Sequence, residues 1–359
     1  SGNTNNLKSF ICFKEKINIK SKKLKKIIKT SAECEKLFNN KFLDIEFAFS
    51  NEQLYILQVR AIVSNKKEDL SNINLSKNLR KLEKKIKKLN TSHPNLLGNR
   101  TLFSVMTDWN PAEIVGLRPK RLALSLYKEL ITDETWAYQR DNYGYRRLRS
   151  HPILVSFLGV PFIDVRVSFN SFIPKTLDEK IATKLVNYYL NELSKNLNNH
   201  DKVEFEIIYS CYYFGLKEKL LKLLNYGFKK SELKNIENSL VNLTNIIINT
   251  KSGLYKKDLN KSKLLNAKFN DIVNSDLSLI DKIYWLIKDV KRYGTLPFAG
   301  VARAGFIAIQ ILNSFVDKNI ITKDEYNNFL KSLNTVSKQL SKDVQTLSKK
   351  NFLKIYGHL

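Results

Sequence analysis

The sequence predicts an α+β fold in three parts: a β-hairpin that follows a helix, a mixed α+β middle and a mainly helical C-terminal part. Three observations predict it. Two runs of alternating apolar residues lie within 42–60, two more strand-like runs lie within 151–174, and after residue 216 apolar residues recur at helical spacing. A chain of 359 residues is long enough for two or three domains with sizeable cores.

The first part, residues 1–65, is predicted to form a strand, a helix over about 20–39 and the hairpin over 42–60. A three-residue turn at 51–53 places Glu46 opposite Gln58, and Asp44 opposite Arg60. These four groups share the polar face. The opposite, apolar face comprises Leu43, Ile45, Phe47, Phe49, Tyr55, Leu57 and Val59.

Residues 66–99 are predicted to be a helical linker, residues 100–215 an α+β domain, and residues 216–359 a helical bundle that completes that domain. In the α+β domain a short helix is expected near 110–116, with Asn110 at the N-cap, Pro111 in the first turn and Glu113 in the reciprocal capping position.

Further helices are expected at 119–131, 133–141 and 177–197, and a turn at 142–144. Two strands within 151–174 are predicted to meet at 159–161, and a further strand is predicted at 202–214. In the bundle, residues 293–306 are predicted to be a glycine-rich loop that runs into a helix carrying Arg303.

The net charge of +27 by itself favours a nucleic acid or another anionic partner. Most of the basic residues are lysines, however, and the lysine runs at 20–29 and 77–89 have the spacing of solvated helix faces. No nucleic-acid-binding motif accompanies them. The balance favours a protein that does not bind nucleic acid, and a basic nucleic-acid-binding protein is kept as an alternative.

Three widely separated cysteines predict neither a disulfide framework nor a zinc site, which is typical of a cytoplasmic protein. No uninterrupted apolar run reaches the length of a membrane span. The most apolar stretch, 298–316, is interrupted by Arg303, Gln310 and Asn313. We therefore expect no membrane partner.

Arginine is scarce in this chain, so its position is informative. Eight of the twelve arginines lie within residues 100–166, where lysine occurs only at Lys120 and Lys128. A guanidinium offers a planar fork for carboxylate or phosphate, whereas an ammonium is a point charge. This segment is the predicted binding region; buried structural ion pairs are the alternative explanation.

On the polar face of the hairpin, Glu46 and Gln58 offer neighbouring oxygens of the kind that Mg²⁺ prefers, and Arg60 lies one step along. The alternative is a half-exposed hairpin with an ordinary Asp44–Arg60 cross-strand pair and a solvated Glu46–Gln58 pair.

The amino-acid sequence of residues 44–62, DIEFAF…LYILQVRAI, resembles the closing hairpin of the ATP-grasp domain in the phosphoenolpyruvate synthase and pyruvate phosphate dikinase family. The resemblance implies that residues 1–65 are the C-terminal segment of an ATP-grasp domain, with ATP and Mg²⁺ as cofactors. It implies metal binding by Glu46 and Gln58 and phosphate binding by Arg60. The family has proline where this chain has Ala61.

The rest of the ATP-grasp domain and the phosphohistidine domain of that family are not seen in this sequence, and none of its four histidines lies in the phosphohistidine motif. We expect this chain by itself not to complete phosphoryl transfer. The missing domains of the same polypeptide are expected partners.

Four further segments are similar to the central region of phosphoenolpyruvate-synthase-like proteins encoded with capsular polysaccharide genes, a group that includes L-glutamine kinases. They read MTDWNPAEIVG, WAYQRDNYGYRRLRS, VPFIDVRVSFNSFIP and GTLPFAGVARAGFIA. The resemblance implies a phosphotransferase whose mobile histidine carries a phosphoryl group from ATP to an amino acid. The implied acceptor is L-glutamine, phosphorylated at its amide nitrogen to start phosphoramidate synthesis.

An amino-acid acceptor needs a guanidinium fork for its carboxylate, an acidic residue for its ammonium group and amide-binding partners for its side chain. The predicted strand supplies Arg166, Asp164, and Ser168 with Asn170, respectively. Alternatively, these residues form a buried polar ladder in which Asp164 or Glu204 merely pairs with Arg166.

Further anion ligands and possible general bases complete the predicted site. The reserve anion ligands are Arg146, Arg149 and Arg303, and the general-base candidates are Asp108, Glu113 and Asp141. A non-catalytic binding or scaffold module remains the other alternative function.

Overall fold

The computed structural model describes Phe10, Cys12 and residues 19–61 and 75–357. The strand predicted before residue 20 lies largely outside the described residues. The chain divides into two compact units, Ser1–Leu75 and Ser76–Leu359. Each unit combines helices with a small antiparallel sheet, which confirms the predicted α+β class.

The first unit contains the predicted helix and hairpin. Helix α1 (Lys22–Leu37) begins at Ser21, whose hydroxyl accepts a hydrogen bond from the amide of Leu24 at 3.4 Å. Strands β1 (Leu43–Ser50) and β2 (Gln53–Ala61) pair antiparallel. The predicted register on the polar face is confirmed: Glu46 lies opposite Gln58, and Asp44 lies opposite Arg60.

The tip of the hairpin differs from the prediction. The turn has two residues, Asn51 and Glu52, both with left-handed backbone (φ 48° and 63°). A bulge after Glu46 leaves Leu57 unpaired and restores the register. The prediction that Tyr55 and Leu57 lie on the apolar face is therefore wrong. The cross-strand pairs of that face are Ile45–Val59, Phe47–Ile56 and Phe49–Leu54.

The remaining chain is mainly helical. Its first helices are α2 (Leu75–Leu89), α3 (Pro111–Ile114), α4 (Arg121–Tyr127), α5 (Thr135–Asn142), α6 (Val165–Asn170), α7 (Glu179–Lys195) and α8 (Val203–Glu206). A sheet of the order β3-β5-β4 lies among them, with β3 (Phe103–Ser104), β4 (Leu154–Phe157) and β5 (Val160–Asp164). The predicted helices at 119–131, 133–141 and 177–197 are confirmed within a few residues.

Residues 164–170 do not form the predicted strand. Strand β5 ends at Asp164, whose carboxylate accepts a hydrogen bond from the amide of Val167 at 3.3 Å and caps α6. Every residue of α6 is buried. Polar and apolar side chains are therefore buried alike. The alternation of polar and apolar residues that predicted a strand does not correspond to one solvent-exposed face and one buried face.

The strand predicted at 202–214 is also wrong. Residues 203–206 form α8, and residues 207–214 have neither helix nor strand structure. Ile207, Tyr209, Cys211 and Tyr213 pack in the main core, which also contains Tyr189. This segment is rich in aromatic and branched residues because it crosses the core, and such composition alone resembles a strand.

The predicted bundle is confirmed: no strand occurs among residues 216–357. Its helices are α9 (Leu216–Leu220), α10 (Lys230–Ile248), α11 (Leu254–Ser262), α12 (Leu265–Val273), α13 (Leu279–Asp289), α14 (Leu296–Asp317), α15 (Lys323–Ser332), α16 (Val336–Thr346) and α17 (Lys349–Tyr356). Short 3₁₀ segments occur at Leu197–Asn199 and Leu221–Tyr226.

Residues 293–306 are helical rather than a loop. A π-helical segment, Val290–Thr295, joins α13 to α14 without a break. Gly300 is needed for close packing, since a Cβ there would overlap the Asp258 carboxylate and the Tyr143 hydroxyl. Gly300, one of the glycines on which the loop prediction rested, instead allows α11, which carries Asp258, to approach α14 closely.

Within the described residues, the continuous helix Leu279–Asp317 is long and apolar enough to cross a membrane. Of its most apolar 18-residue window, 28% is buried. Core helices of soluble proteins can meet the same criterion of length and composition, and this helix carries the buried Arg303.

The turn of the hairpin provides a test of its backbone conformation. We expect Glu52→Gly to stabilise the hairpin by about 1 kcal/mol, because glycine adopts a left-handed backbone without steric cost. Amide hydrogen exchange of β1 and β2 measures the change. Asn51→Val is the control, and it should destabilise the hairpin because a β-branched residue is strained in a left-handed backbone. Faster exchange in Glu52→Gly would contradict the turn described here.

Candidate functional site

A cavity of about 250 Å³ lies in the second unit, where α3, α5, α8 and α14 meet. Five charged side chains and three aromatic rings contribute to its wall. The cavity is lined by Asp108, Trp109, Asn110, Glu113, Ile114, Gln139, Arg140, Glu204, Phe298, Ala299, Ala302, Arg303 and Phe306. Three predicted site residues, Asp108, Glu113 and Arg303, are therefore brought together from distant parts of the sequence.

The loop before α3 presents Trp109 to the cavity. Asp108 and Asn110 on either side of it both have left-handed backbone, with φ of 57° and 35°. The Tyr127 hydroxyl donates to the Trp109 carbonyl oxygen at 2.5 Å. Burial raises the pKa of Tyr127, which keeps this hydroxyl protonated as a donor.

The predicted reciprocal cap of α3 does not form. Asn110 occupies the N-cap position and Pro111 follows it, as expected, but the Asn110 side chain caps no backbone amide. Its Nδ2 donates to Glu113 Oε2 at 3.2 Å instead. The left-handed backbone of Asn110 explains the difference, since an N-cap residue usually has an extended backbone.

One side of the cavity is built on a buried ion pair. Arg140, on α5, donates through Nη2 to Asp108 Oδ1 at 2.8 Å, and both side chains are less than a tenth exposed. The second oxygen of Asp108 accepts from the Ser168 hydroxyl at 2.8 Å. The Arg140 guanidinium also lies 3.9 Å from the ring centre of Phe172. With both oxygens engaged, Asp108 is not a free general base.

A second buried ion pair lies on the other side. Arg303, on α14, donates through Nη2 to Glu204 Oε2, and its side chain is 3% exposed. The guanidinium lies 5.0 Å from the ring centre of Phe306. The backbone carbonyl of Glu204 accepts from Gln310 at 2.8 Å, which ties α8 to α14. Glu204 was considered at the sequence level only as a partner of Arg166.

Several buried N–H groups of the lining residues find no hydrogen-bond partner within the described part of the chain. They are Trp109 Nε1, Gln139 Nε2, Arg140 Nη1, Arg303 Nε and Arg303 Nη1. Buried donors are nearly always hydrogen-bonded in folded proteins. These groups have almost no accessible surface, and other buried donors without a partner, such as Trp136 Nε1 and Arg166 Nε, lie on residues outside the cavity lining.

Two π-helical segments precede the helices that carry the site arginines. Lys128–Thr132 leads towards α5, and Val290–Thr295 leads directly into α14. Lys291 from the second segment forms an ion pair with Glu129 from the first, at 2.8 Å. This ion pair joins the two segments that precede α5 and α14. π-Helical turns are often found at functional sites.

Most of the predicted substrate residues on 164–170 have structural roles. Arg166 donates through Nη1 to the Thr91 carbonyl at 2.7 Å and through Nη2 to the Leu89 carbonyl at 2.9 Å. It thereby caps the C-terminal end of α2 and is not a lining residue of the cavity. The prediction that Arg166 holds the acceptor carboxylate is wrong.

The neighbours of Arg166 are similarly committed. Asp164 accepts from the Thr101 hydroxyl at 2.6 Å in addition to capping α6, and burial raises the pKa of Asp164. Asn170 bonds the backbone N–H and C=O of Leu97, each at 2.9 Å. Of this group, Ser168 alone forms a hydrogen bond with a residue of the cavity lining, which is Asp108. The predicted polar-ladder alternative is therefore closer to the structure, although Arg166 bonds backbone carbonyls and neither Asp164 nor Glu204.

The remaining predicted residues lie away from the cavity lining. Arg149 forms an ion pair with Asp141 at 2.8 Å and stacks on Tyr138, with 3.8 Å from guanidinium carbon to ring centre. Arg146 lies 4.0 Å from a Glu179 oxygen. The structure thus gives Arg146, Arg149 and Asp141 no direct place in this site.

Sequence reasoning named three of the thirteen lining residues as site residues, and those it missed include Trp109, Gln139, Arg140 and Glu204. Arg140 was one of the eight clustered arginines, and Trp109 was placed on the loop before α3, so both had a detectable signal. Gln139 had none, because a single glutamine beside an arginine is common.

The hairpin of the first unit has the predicted polar face. Glu46 and Gln58 lie directly opposite each other and therefore on the same side of the sheet. Arg60 Nη2 contacts both Asp44 Oδ2 at 3.0 Å and Glu46 Oε1 at 2.8 Å, and all three side chains are about half exposed. The described residues contain no cluster of three or more His, Cys, Asp or Glu that could hold a metal ion. The Glu46–Gln58 pair could supply two oxygens.

Comparison with known proteins finds no match, whether among protein-family models, curated proteins or solved structures.

The corrected role of Arg166 can be tested by substitution. We expect Arg166→Met to lower the free energy of unfolding by about 2–4 kcal/mol, because two charge-assisted hydrogen bonds to carbonyl groups are lost. Chemical denaturation followed by circular dichroism measures it. Arg147→Met is the matched control, because Arg147 is exposed and its loss should be close to neutral. A stability change in Arg166→Met no larger than in this control would contradict the capping role.

Proposed function

We propose that this chain carries the acceptor-binding part of an ATP-dependent phosphotransferase that works through a phosphohistidine relay, with L-glutamine as the acceptor. The observation that carries the proposal is the cavity lined by two arginine–carboxylate pairs and by aromatic rings. Phosphorylation at the amide nitrogen follows from the sequence resemblance and is part of the proposal.

The donors on the lining side chains are of the kinds that bind the oxygens of a small amino acid, which would reach them where these side chains shift, because the N–H groups now have almost no accessible surface. Each arginine uses one Nη group for its carboxylate partner and leaves other N–H groups without one. A guanidinium fork suits a carboxylate, and the amide and indole N–H groups of Gln139 and Trp109 suit a side-chain carbonyl. Glutamine offers both kinds of acceptor, so the site can orient the whole molecule.

The charge of the lining favours a zwitterion over a dianion. Arg140 and Arg303 contribute +2, and Asp108, Glu113 and Glu204 contribute −3, so the formal sum is −1. A doubly negative acceptor would meet like charges in a partly buried cavity, where they are weakly screened. An amino acid carries no net charge at neutral pH and avoids that repulsion. Among acceptors of the phosphoenolpyruvate synthase type, this favours an amino acid.

The hairpin supports the nucleotide part of the proposal. Glu46 and Gln58 would hold a Mg²⁺ ion together with oxygens of ATP, and Arg60 beside them would contact phosphate. When bound, the ion neutralises phosphate charge. Arg60 is already engaged by Asp44 and Glu46, so it would have to exchange a carboxylate for the nucleotide.

The first unit also presents much apolar surface. Leu57 is 66% exposed and Phe47 and Ile56 about 40%, and a two-stranded hairpin is marginal without further packing. In the proposed protein this surface is covered by the remainder of an ATP-grasp domain. The capsular phosphoramidate context and a cytoplasmic location belong to the same proposal.

The cavity assignment predicts that filling it abolishes binding. We expect Ala302→Leu to weaken L-glutamine binding at least about tenfold, and Arg303→Met to do the same through loss of the guanidinium. Isothermal titration calorimetry on this chain measures both. Ala308→Leu is the matched control, since it makes the same change on α14 at an exposed position outside the lining.

The control variant should bind L-glutamine as the unmodified chain does. If the unmodified chain binds no L-glutamine at millimolar concentration, the acceptor assignment is wrong, and a scaffold module becomes the better explanation. Binding that survives Ala302→Leu would place the acceptor elsewhere.

The hairpin assignment is tested with a metal ion alone. We expect millimolar Mn²⁺ to broaden the amide NMR signals of Glu46 and Gln58, because a paramagnetic ion bound by their oxygens relaxes nearby nuclei. Glu46→Ala should remove the broadening. Asp44→Ala, one cross-strand pair away, should retain it. Equal broadening in both variants would show that the ion binds without the Glu46 side chain.

A further inference from the structure

Within the described residues, one charged residue of the cavity has no ionic partner. Arg140 pairs with Asp108, and Arg303 pairs with Glu204, so four of the five charged lining residues form two neutral pairs. Glu113 is the fifth. The one hydrogen bond that the described chain gives its carboxylate comes from Asn110 Nδ2 at 3.2 Å. Glu113 is exposed, whereas the two ion pairs are buried, so it lies towards the solvent side of the site.

Aromatic rings share this lining with Glu113. Trp109 lies four residues before it, and Phe298 and Phe306 come from α14. Phe298 is 63% exposed and Phe306 39%, so these rings also reach the solvent side. An anionic carboxylate together with aromatic faces is a favourable environment for an alkylammonium group, through ion pairing and cation–π attraction.

The cavity therefore has two chemically different parts. The buried part contains two neutral arginine–carboxylate pairs, and the exposed part offers the carboxylate of Glu113 to a cation. We infer that Glu113 binds the α-ammonium group of the acceptor and thereby selects amino acids over their deaminated analogues. The inference rests on the proposed function, because it concerns the same cavity.

This role differs from that of a general base, for which Glu113 was one of three candidates. Asp108 has both oxygens engaged, and Asp141 is paired with Arg149 outside the lining. A base would act on the reacting nitrogen and leave ground-state selectivity untouched. An ammonium ligand changes the affinity for the amino acid and not the affinity for an analogue that lacks the amino group.

The test compares two ligands on two proteins. L-Glutamine and 5-amino-5-oxopentanoate, which is glutamine without its α-amino group, are titrated calorimetrically into the unmodified chain and into Glu113→Gln. We expect the unmodified chain to prefer glutamine by roughly tenfold or more. In Glu113→Gln that preference should disappear through weaker glutamine binding, with the analogue bound as before. Glu206→Gln, an exposed glutamate outside the lining, is the control and should keep the preference.

The outcomes separate the inference from the proposed function. If the unmodified chain binds glutamine and Glu113→Gln keeps the full preference, the ammonium assignment is overturned and the cavity assignment stands. Equal weakening of both ligands would also overturn it, because it would show a structural effect. If the unmodified chain binds neither ligand, the proposed function fails and the inference fails with it.

Discussion

The second unit depends on the burial of two arginine–carboxylate pairs around one cavity. A buried charge without a partner is strongly destabilising, so Arg140 requires Asp108 and Arg303 requires Glu204. Each pair joins elements far apart in the chain: α5 to the loop before α3, and α14 to α8. The pairs therefore fix the geometry of the cavity, and because each pair is neutral, they leave no large uncompensated charge in its wall.

Residues outside the two ion pairs hold the elements that carry them in place. Ser168 on the buried helix α6 holds the second oxygen of Asp108, and Arg166 on the same helix holds the end of α2. The Glu129–Lys291 pair joins the two π-helical segments next to α5 and α14. Ser168, which sequence reasoning assigned to the ligand, thus positions Asp108 in the cavity lining. This is the usual relation between a site and its supporting contacts.

The sequence predicted the register of the hairpin correctly through two errors that cancel. The turn is one residue shorter than expected, and a bulge at Leu57 adds one residue to β2. Alternation on both strands identified the polar pairs, but a bulge shifts the parity of all residues between it and the turn. Side chains near the turn were therefore assigned to the wrong face, while Glu46 and Gln58, beyond the bulge, were not affected.

The arginines show why the cavity could be predicted only in part. In a lysine-biased chain, arginine does mark places that need a planar fork, but the fork serves carbonyl groups at Arg166, a ring at Arg149 and carboxylates at Arg140 and Arg303. Composition cannot separate these uses. What separates them is whether a buried arginine lines the cavity, and this depends on packing between α5 and α14. Arg140 and Arg303 belong to segments that the sequence places far apart, so only the folded chain shows that they serve the same site.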